Sequence, residues 1–285
     1  MTRAAIAAGS FYEASSESLD KQIKDSFLHA QGPGELQINK RKGKILGAIV
    51  PHAGYMFSGP CAAWAYKEIG EAEFADIYII LGTSHSGLGT AVSMENYETP
   101  FGVARVDQGF AKEFMKKSGI KVDEKAHSHE HSIEVQLPML QFVCKELSEK
   151  LKILPIVVSH DTDYRKLGLD IKETIIDSGK KVCIIASSDF THYGRNYHYL
   201  PFTSDVKKRL YELDGKALGF IKNTDAEGFL NLVYETGATI CGAMPIAVLL
   251  NSIKAKKVEL LQYYTSGDIL GDYKNAVGYA SVVFR

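Results

Sequence analysis

The 285-residue chain has four cysteines, one tryptophan and no CxxC pair. So few thiols at such spacing do not make a disulfide framework, and a reducing, cytoplasmic setting is expected. No apolar run approaches the roughly 20 residues that span a bilayer; the longest, Ile77–Leu81 and Met244–Leu250, are core-sized. The first sixteen residues, MTRAAIAAGSFYEASS, carry one arginine but no sustained apolar stretch, so a secretory signal is not expected. Excess charge is missing too: 33 Lys+Arg against 34 Asp+Glu leaves a formal net charge of -1, which gives no electrostatic reason for a nucleic-acid or membrane partner. Phosphate-binding patterns are absent, since there is no GxxxxGK[ST] and no GxGxxG opening a helix after a strand. GxSxG is also missing, which removes the lipase-type nucleophile.

What is present is ordinary globular composition, 45% hydrophobic and 24% charged, arranged as short apolar runs separated by helical patterns. The runs Lys44–Val50, Asp76–Leu81, Leu151–Val158 and Lys181–Ser187 read as strands buried on both faces. Helical spacing predicts helices over Ser16–His29, Pro60–Ile69, Gly109–Lys117, Ser132–Lys150, Tyr164–Ser178, Ser204–Leu218, Asp225–Glu235 and Gly242–Ser252. Residues 31–44 read as an exposed loop and 90–106 as extended strands and turns. The strands Val258–Thr265 and Asn275–Phe284 close the chain. Alternation of this kind predicts one domain over residues 1–285: a three-layer α/β/α sandwich on a mostly parallel or mixed sheet.

Chemistry-bearing residues stand just past the buried runs. PHAGY with His52 follows the first, GTSHSG with His85 the second, and SDFTHYG with Asp189 and His192 the fourth. Open α/β sheets bind ligands beyond the carboxyl ends of their strands, so parallel strands would bring these loops to one crevice. A single histidine after a strand is more commonly a hydrogen-bonded structural residue, but three loops sharing one pattern favour a site. Cys241 stands before the apolar helix of TICGAMPIAVLL, where a helix N-terminus would stabilise the metal-binding thiolate; alone it would read as a small buried hydrophobe. Cys61, Cys144 and Cys183 lie inside apolar patterns and read as core. The stretch HSHEHSIEVQLP carries His127, His129, Glu130, His131 and Glu134. It lacks the second histidine of HExxH, so a metalloprotease helix has no support. Glu130 and His131 read as pocket wall, His127 and His129 as solvated, and Tyr55 as a residue within reach of the pocket.

The segments AGSFYEAS, PHAGYMFSGPCAAWAY, ILGTSHSG, EHSIEVQLPML, SSDFTHYG and TICGAMPIAVLLN together resemble the Memo family, from near residue 9 to near residue 250. That resemblance implies the fold of the catalytic subunit of class III extradiol dioxygenases, which are non-haem iron enzymes. It places the family's pocket histidines on His52, His85 and His192, its aspartate on Asp189 and its cysteine on Cys241. The dioxygenases hold Fe(II) with two histidines and a glutamate, so a cysteine as third ligand is a departure. A softer thiolate shifts preference towards copper or zinc.

The resulting expectation is a metal-dependent redox enzyme acting on a small-molecule or peptide substrate. In it His52, His85 and Cys241 hold one transition metal, Fe(II) or else Cu or Zn. His192 acts as general acid/base, and Asp189 orients its ring. Two rivals stand beside it: a binding module for a phosphopeptide or partner protein on a degenerate enzyme fold, and a zinc hydrolase. Animal relatives are described as phosphotyrosine-peptide binders, and prokaryotic relatives tend to travel with a radical-SAM protein and a small partner. By resemblance both remain open for this chain.

Overall fold

The structure, a computed structural model, describes residues 1–38 and 41–285. Positions 39 and 40, inside the expected 31–44 loop, lie outside the described residues. Among the described residues the strands are β1 (Thr2–Arg3), β2 (Gly47–Val50), β3 (Ile77–Thr83), β4 (Ala91–Val92), β5 (Asn96–Thr99), β6 (Gly102–Val106), β7 (Lys152–Val158), β8 (Val182–Ser187), β9 (His192–Gly194), β10 (Val258–Thr265) and β11 (Asn275–Phe284). The helices are α1 (Ser16–Leu28), α2 (Tyr55–Glu71), α3 (Gln108–Ser118), α4 (Glu124–Ser128), α5 (Gln136–Val143), α6 (Tyr164–Ser178), α7 (Val206–Lys222), α8 (Ala226–Thr236), α9 (Ala243–Ser252) and α10 (Ser266–Leu270).

All the strands join one sheet in the order β1-β5-β6-β7-β3-β8-β2-β11-β10, with β4 on β7 and β9 on β11. The run from β6 to β2 is parallel throughout, and β11 returns antiparallel against β2 and β10. The parallel strands are the uninterrupted apolar runs, because a strand covered on both faces has no side on which a polar residue meets water. Helix α2 packs on β2 and β11, backed by α1 and α5. Helix α9 packs on β8 and β3, backed by α6 and α8. The fold is therefore a three-layer α/β/α sandwich with a mixed sheet. No helix among the described residues is long and apolar enough to cross a membrane.

Two helices depart from the expected spans. The helix expected at Pro60 begins at Tyr55, with Gly54 as its N-cap and Pro60 in its second turn. The expected Ser132–Lys150 helix is α only over Gln136–Val143, followed by a 3-10 segment at Lys145–Lys150 with a kink at Leu147. Side chains compete for the backbone at its start. The Glu130 carboxylate accepts the Ser132 N–H at 2.8 Å, and the Ser132 hydroxyl accepts the Thr83 N–H at 3.0 Å, which holds residues 130–135 as turns. That substitution of local bonds for helix is what brings Glu130 and His131 to the strand ends.

One buried acid sits behind the site. Asp214 on α7 is fully buried and accepts hydrogen bonds from the Thr191 hydroxyl and from the Tyr263 hydroxyl at 2.6 Å. Burial raises its carboxyl from 3.8 to about 6, against the lowering effect of those two bonds. A raised acid keeps its proton longer in the folded chain than in the unfolded one. Its contribution to stability is therefore intact below about pH 4 and is lost as pH climbs through about 6. The two-unit difference is worth about 3 kcal/mol. Asp214→Asn is expected to remove that fall, read as melting temperature against pH for both proteins; parallel profiles would show that Asp214 does not titrate in this window.

Candidate metal centre

Register decides which loops meet. Val50 lies beside Ser187, and Leu81 beside Ala186, so β3, β8 and β2 end together. His52, His85 and Asp189 each stand two residues past such an end. Cys241 arrives from the other layer, on the turn that starts α9. Gly242 is what lets that turn close, since a Cβ there would meet the Ser187 carbonyl oxygen at 2.6 Å. Gly82 does the same at β3, where a Cβ would meet the Ser132 hydroxyl oxygen at 2.6 Å.

The result is a cluster of His52, His85 and Cys241 whose candidate ligand atoms all lie within 4.8 Å of one another. His52 Nε2 is 3.2 Å from Cys241 Sγ. The His85 and His52 rings stand perpendicular, with centroids 5.5 Å apart. Each ring is fixed from behind. His85 Nδ1 lies 3.0 Å from Glu130 Oε1, and its backbone N–H donates to Glu130 Oε2 at 3.0 Å. An ionised carboxylate only accepts, so His85 carries a proton on Nδ1, and its neutral form has Nε2 free. His192 Nδ1 lies 2.9 Å from the Thr239 carbonyl oxygen, which likewise places the proton on Nδ1. Tyr197 packs edge-on against that ring at 5.1 Å.

Charge follows the same geometry. Burial lowers His52 to about 4, with His131 and His85 adding to the effect and Asp189 opposing it. Burial also acts on His85 and Glu130, but their mutual hydrogen bonds outweigh it: Glu130 is lowered to about 2 and His85 is raised. His131 is lowered, chiefly by burial. It lies between Phe11, centroid 4.4 Å away, and His85, stacked at 4.9 Å and 18°. A second group of His85, Glu130 and His131 also has metal-compatible spacing. There the Glu130 oxygens already accept from His85 and Ser132 and the two rings lie nearly parallel, so Glu130 serves the site as an acceptor.

Four expectations change. Asp189 does not orient His192. Its Oδ1 accepts the His52 and Ala53 backbone N–H groups at 2.8 and 3.2 Å and so pins the PHAG loop, while Thr239 holds His192. Cys241 is not a ready thiolate: burial, reinforced by the Asp189 charge, pushes its thiol well above the usual range, outweighing the Asp189 N–H that reaches the sulfur at 3.2 Å. Tyr55 is buried with its hydroxyl donating to the Val135 carbonyl at 2.7 Å, so it ties α2 to the turn before α5. His127 is buried rather than solvated, bonded to the Tyr97 hydroxyl at 2.9 Å and the Ala91 carbonyl at 3.1 Å; His129 is exposed. His127 lies on α4, which ends at Ser128, where the chain turns.

Ser187, Gln136 and Thr239 support the histidines and escaped the sequence reading. Their signals were faint: a serine pair before Asp189, a glutamine inside EVQLP, and a threonine two residues before Cys241. None has a side chain that advertises chemistry on its own.

Set against known proteins, residues 3–283 match the family described as Memo-like protein. A MEMO1 family protein of Methanopyrus kandleri is 38% identical, covering 100% of this chain and 99% of its own. One from Sulfurisphaera tokodaii is 40% identical, with 100% and 99% covered, and one from Nitrosopumilus maritimus is 39% identical over the whole of both chains. The crystal structure of an uncharacterized protein from Escherichia coli K12 shares the fold, with a TM-score of 0.57 at 11% identity, covering 85% of this chain and 100% of that one. With a family match running almost end to end and relatives of such identity over their full length, the chain belongs to the Memo family.

Proposed function

We propose that this protein is a metal-dependent redox enzyme of the extradiol-dioxygenase-like kind, with His52, His85 and Cys241 holding one transition metal. The observation that carries the reading is the convergence of two imidazoles and one thiol within 4.8 Å, both rings braced from behind. Such a set fits a metal: three donors of mixed softness suit Fe(II), Cu or Zn, and a three-ligand site leaves room for substrate. When bound, an iron or copper ion supplies the capacity for electron transfer and dioxygen chemistry that side chains lack.

The chain's own residues do the rest. Glu130 holds the His85 ring in place, and Asp189 holds the loop of His52. His192, with its Nδ1 proton committed to Thr239, has Nε2 free to take a proton from a bound substrate. The set of two nitrogens and one sulfur equally suits zinc, which makes hydrolysis the second reading.

The test is oxygen consumption by anaerobically reconstituted protein, Fe(II) or copper in turn, across a panel of catechol-like compounds. Uptake in the wild type and none in His192→Ala of equal metal content is the expected result. Full activity in that variant removes His192 from the chemistry. No uptake with any metal overturns the redox reading and directs attention to zinc hydrolysis or to phosphopeptide binding by metal-free protein.

A further inference from the structure

Ser187, the last residue of β8, is fully buried and has no catalytic part in the reading above. Its hydroxyl oxygen lies 2.6 Å from the Ser132 carbonyl oxygen, 2.7 Å from Gln136 Nε2 and 2.9 Å from His52 Nδ1. A hydroxyl has one proton and two lone pairs. A carbonyl can only accept, so the proton goes to Ser132. The Gln136 amide is oriented by its surroundings: its oxygen takes the Tyr66 hydroxyl at 2.7 Å, and its nitrogen donates to the Pro51 carbonyl at 3.0 Å. Turning that amide over would set oxygen against oxygen at Pro51. Gln136 therefore fills one lone pair of Ser187, and the only vacancy left for His52 is the other. His52 Nδ1 must carry the hydrogen.

We propose that Ser187 is a positioning residue that sets the tautomer of His52, because its one proton is committed to the Ser132 carbonyl and it can only accept from Nδ1, so that Nε2 presents a lone pair to Cys241 and to the metal position. Free histidine favours the opposite tautomer, with its proton on Nε2, and that form would aim an N–H at the metal. Three histidines then hold a proton on Nδ1 by three different devices: a carboxylate behind His85, a backbone carbonyl behind His192, and a hydroxyl with a forced direction behind His52. Ser187 is the least obvious of the three because a hydroxyl can ordinarily face either way. The consequence for metal affinity rests on the metal-site reading, whereas the tautomer does not.

The experiment reads both separately. Long-range proton–nitrogen spectra of metal-free, nitrogen-15-histidine-labelled protein at neutral pH give the state of each ring nitrogen, with His52 assigned by its loss in His52→Gln. Wild type is expected to show a protonated Nδ1 and a bare Nε2. Ser187→Ala is expected to move the proton to Nε2 or to average the two. Gln136→Met perturbs the same buried network but leaves the Ser187 hydroxyl and its direction, so it is expected to keep the wild-type pattern. A general structural disturbance would move both variants alike. A protonated Nε2 in wild type, or an unchanged ring in Ser187→Ala, overturns the proposal. Competition titration with Zn(II) then measures the consequence: about 10- to 100-fold weaker binding in Ser187→Ala. An altered tautomer with unchanged affinity overturns the positioning role. Wild-type protein that binds no metal but shows the expected tautomers sinks the metal-site reading and leaves the Ser187 assignment standing.

Discussion

Replacing Glu134 with alanine is expected to cost about 3–5 kcal/mol of stability, the largest single effect among the polar residues around the site. Glu134 is fully buried and accepts four hydrogen bonds from the N-terminal segment: Arg3 Nη1 at 2.6 Å, the Ile6 N–H at 3.1 Å, the Ala7 N–H at 2.8 Å and the Tyr12 hydroxyl at 2.7 Å. Removing the carboxylate strands a guanidinium that is itself almost completely buried, together with two backbone donors. Arg3 also donates to the His127 carbonyl at 3.0 Å and the Glu130 carbonyl at 2.8 Å, so the same knot holds the turn that carries Glu130 and His131. Chemical denaturation of Glu134→Ala beside wild type measures the loss. A change under about 1 kcal/mol would mean that water replaces the carboxylate, and that the N-terminal segment is not fastened as described.

The second large effect concerns Cys241. Cys241→Ser is expected to weaken metal binding by about two orders of magnitude, most for soft Cu(I) and least for harder ions. Structural zinc sites are worth about 10–16 kcal/mol over four ligands, which gives about 3 kcal/mol per donor. In the metal-free chain the Cys241 sulfur lies 3.2 Å from His52 Nε2 and 3.6 Å from the Asp189 carbonyl oxygen, and burial keeps the thiol protonated. Loading should therefore displace that proton and release it to solvent, and the release should vanish in the serine variant. Calorimetry in two buffers of different ionisation enthalpy measures the proton count alongside the affinity. Equal affinities for wild type and variant would exclude Cys241 as a ligand.

Much of this was legible in the sequence, and the reasons are particular. The strands of the parallel core showed because they are apolar on both faces, and helix α6 showed by its helical spacing; the structure adds an Asp163 cap and a Gly179 stop at the same ends. The placement of His52, His85 and Asp189 followed from strand ends, a rule that depends on topology more than on detail. What failed were matters of direction. Asp189 sits three residues from His192, but β9 turns His192 away to pair with β11, so sequence proximity gave the wrong partner. Cys241 was assigned a dipole effect that burial overrides. The bracing residues Ser187, Gln136 and Thr239 were invisible because a hydroxyl or amide gains meaning only from what stands opposite it in space.

The most direct test of the central claim is metal content, by elemental analysis of protein purified without oxygen, wild type beside the His52→Ala/His85→Ala double variant. One iron, copper or zinc per wild-type chain, lost in a variant that still folds, is the predicted result. A wild type that holds no metal after anaerobic reconstitution, or a double variant that holds as much as the wild type, would contradict it.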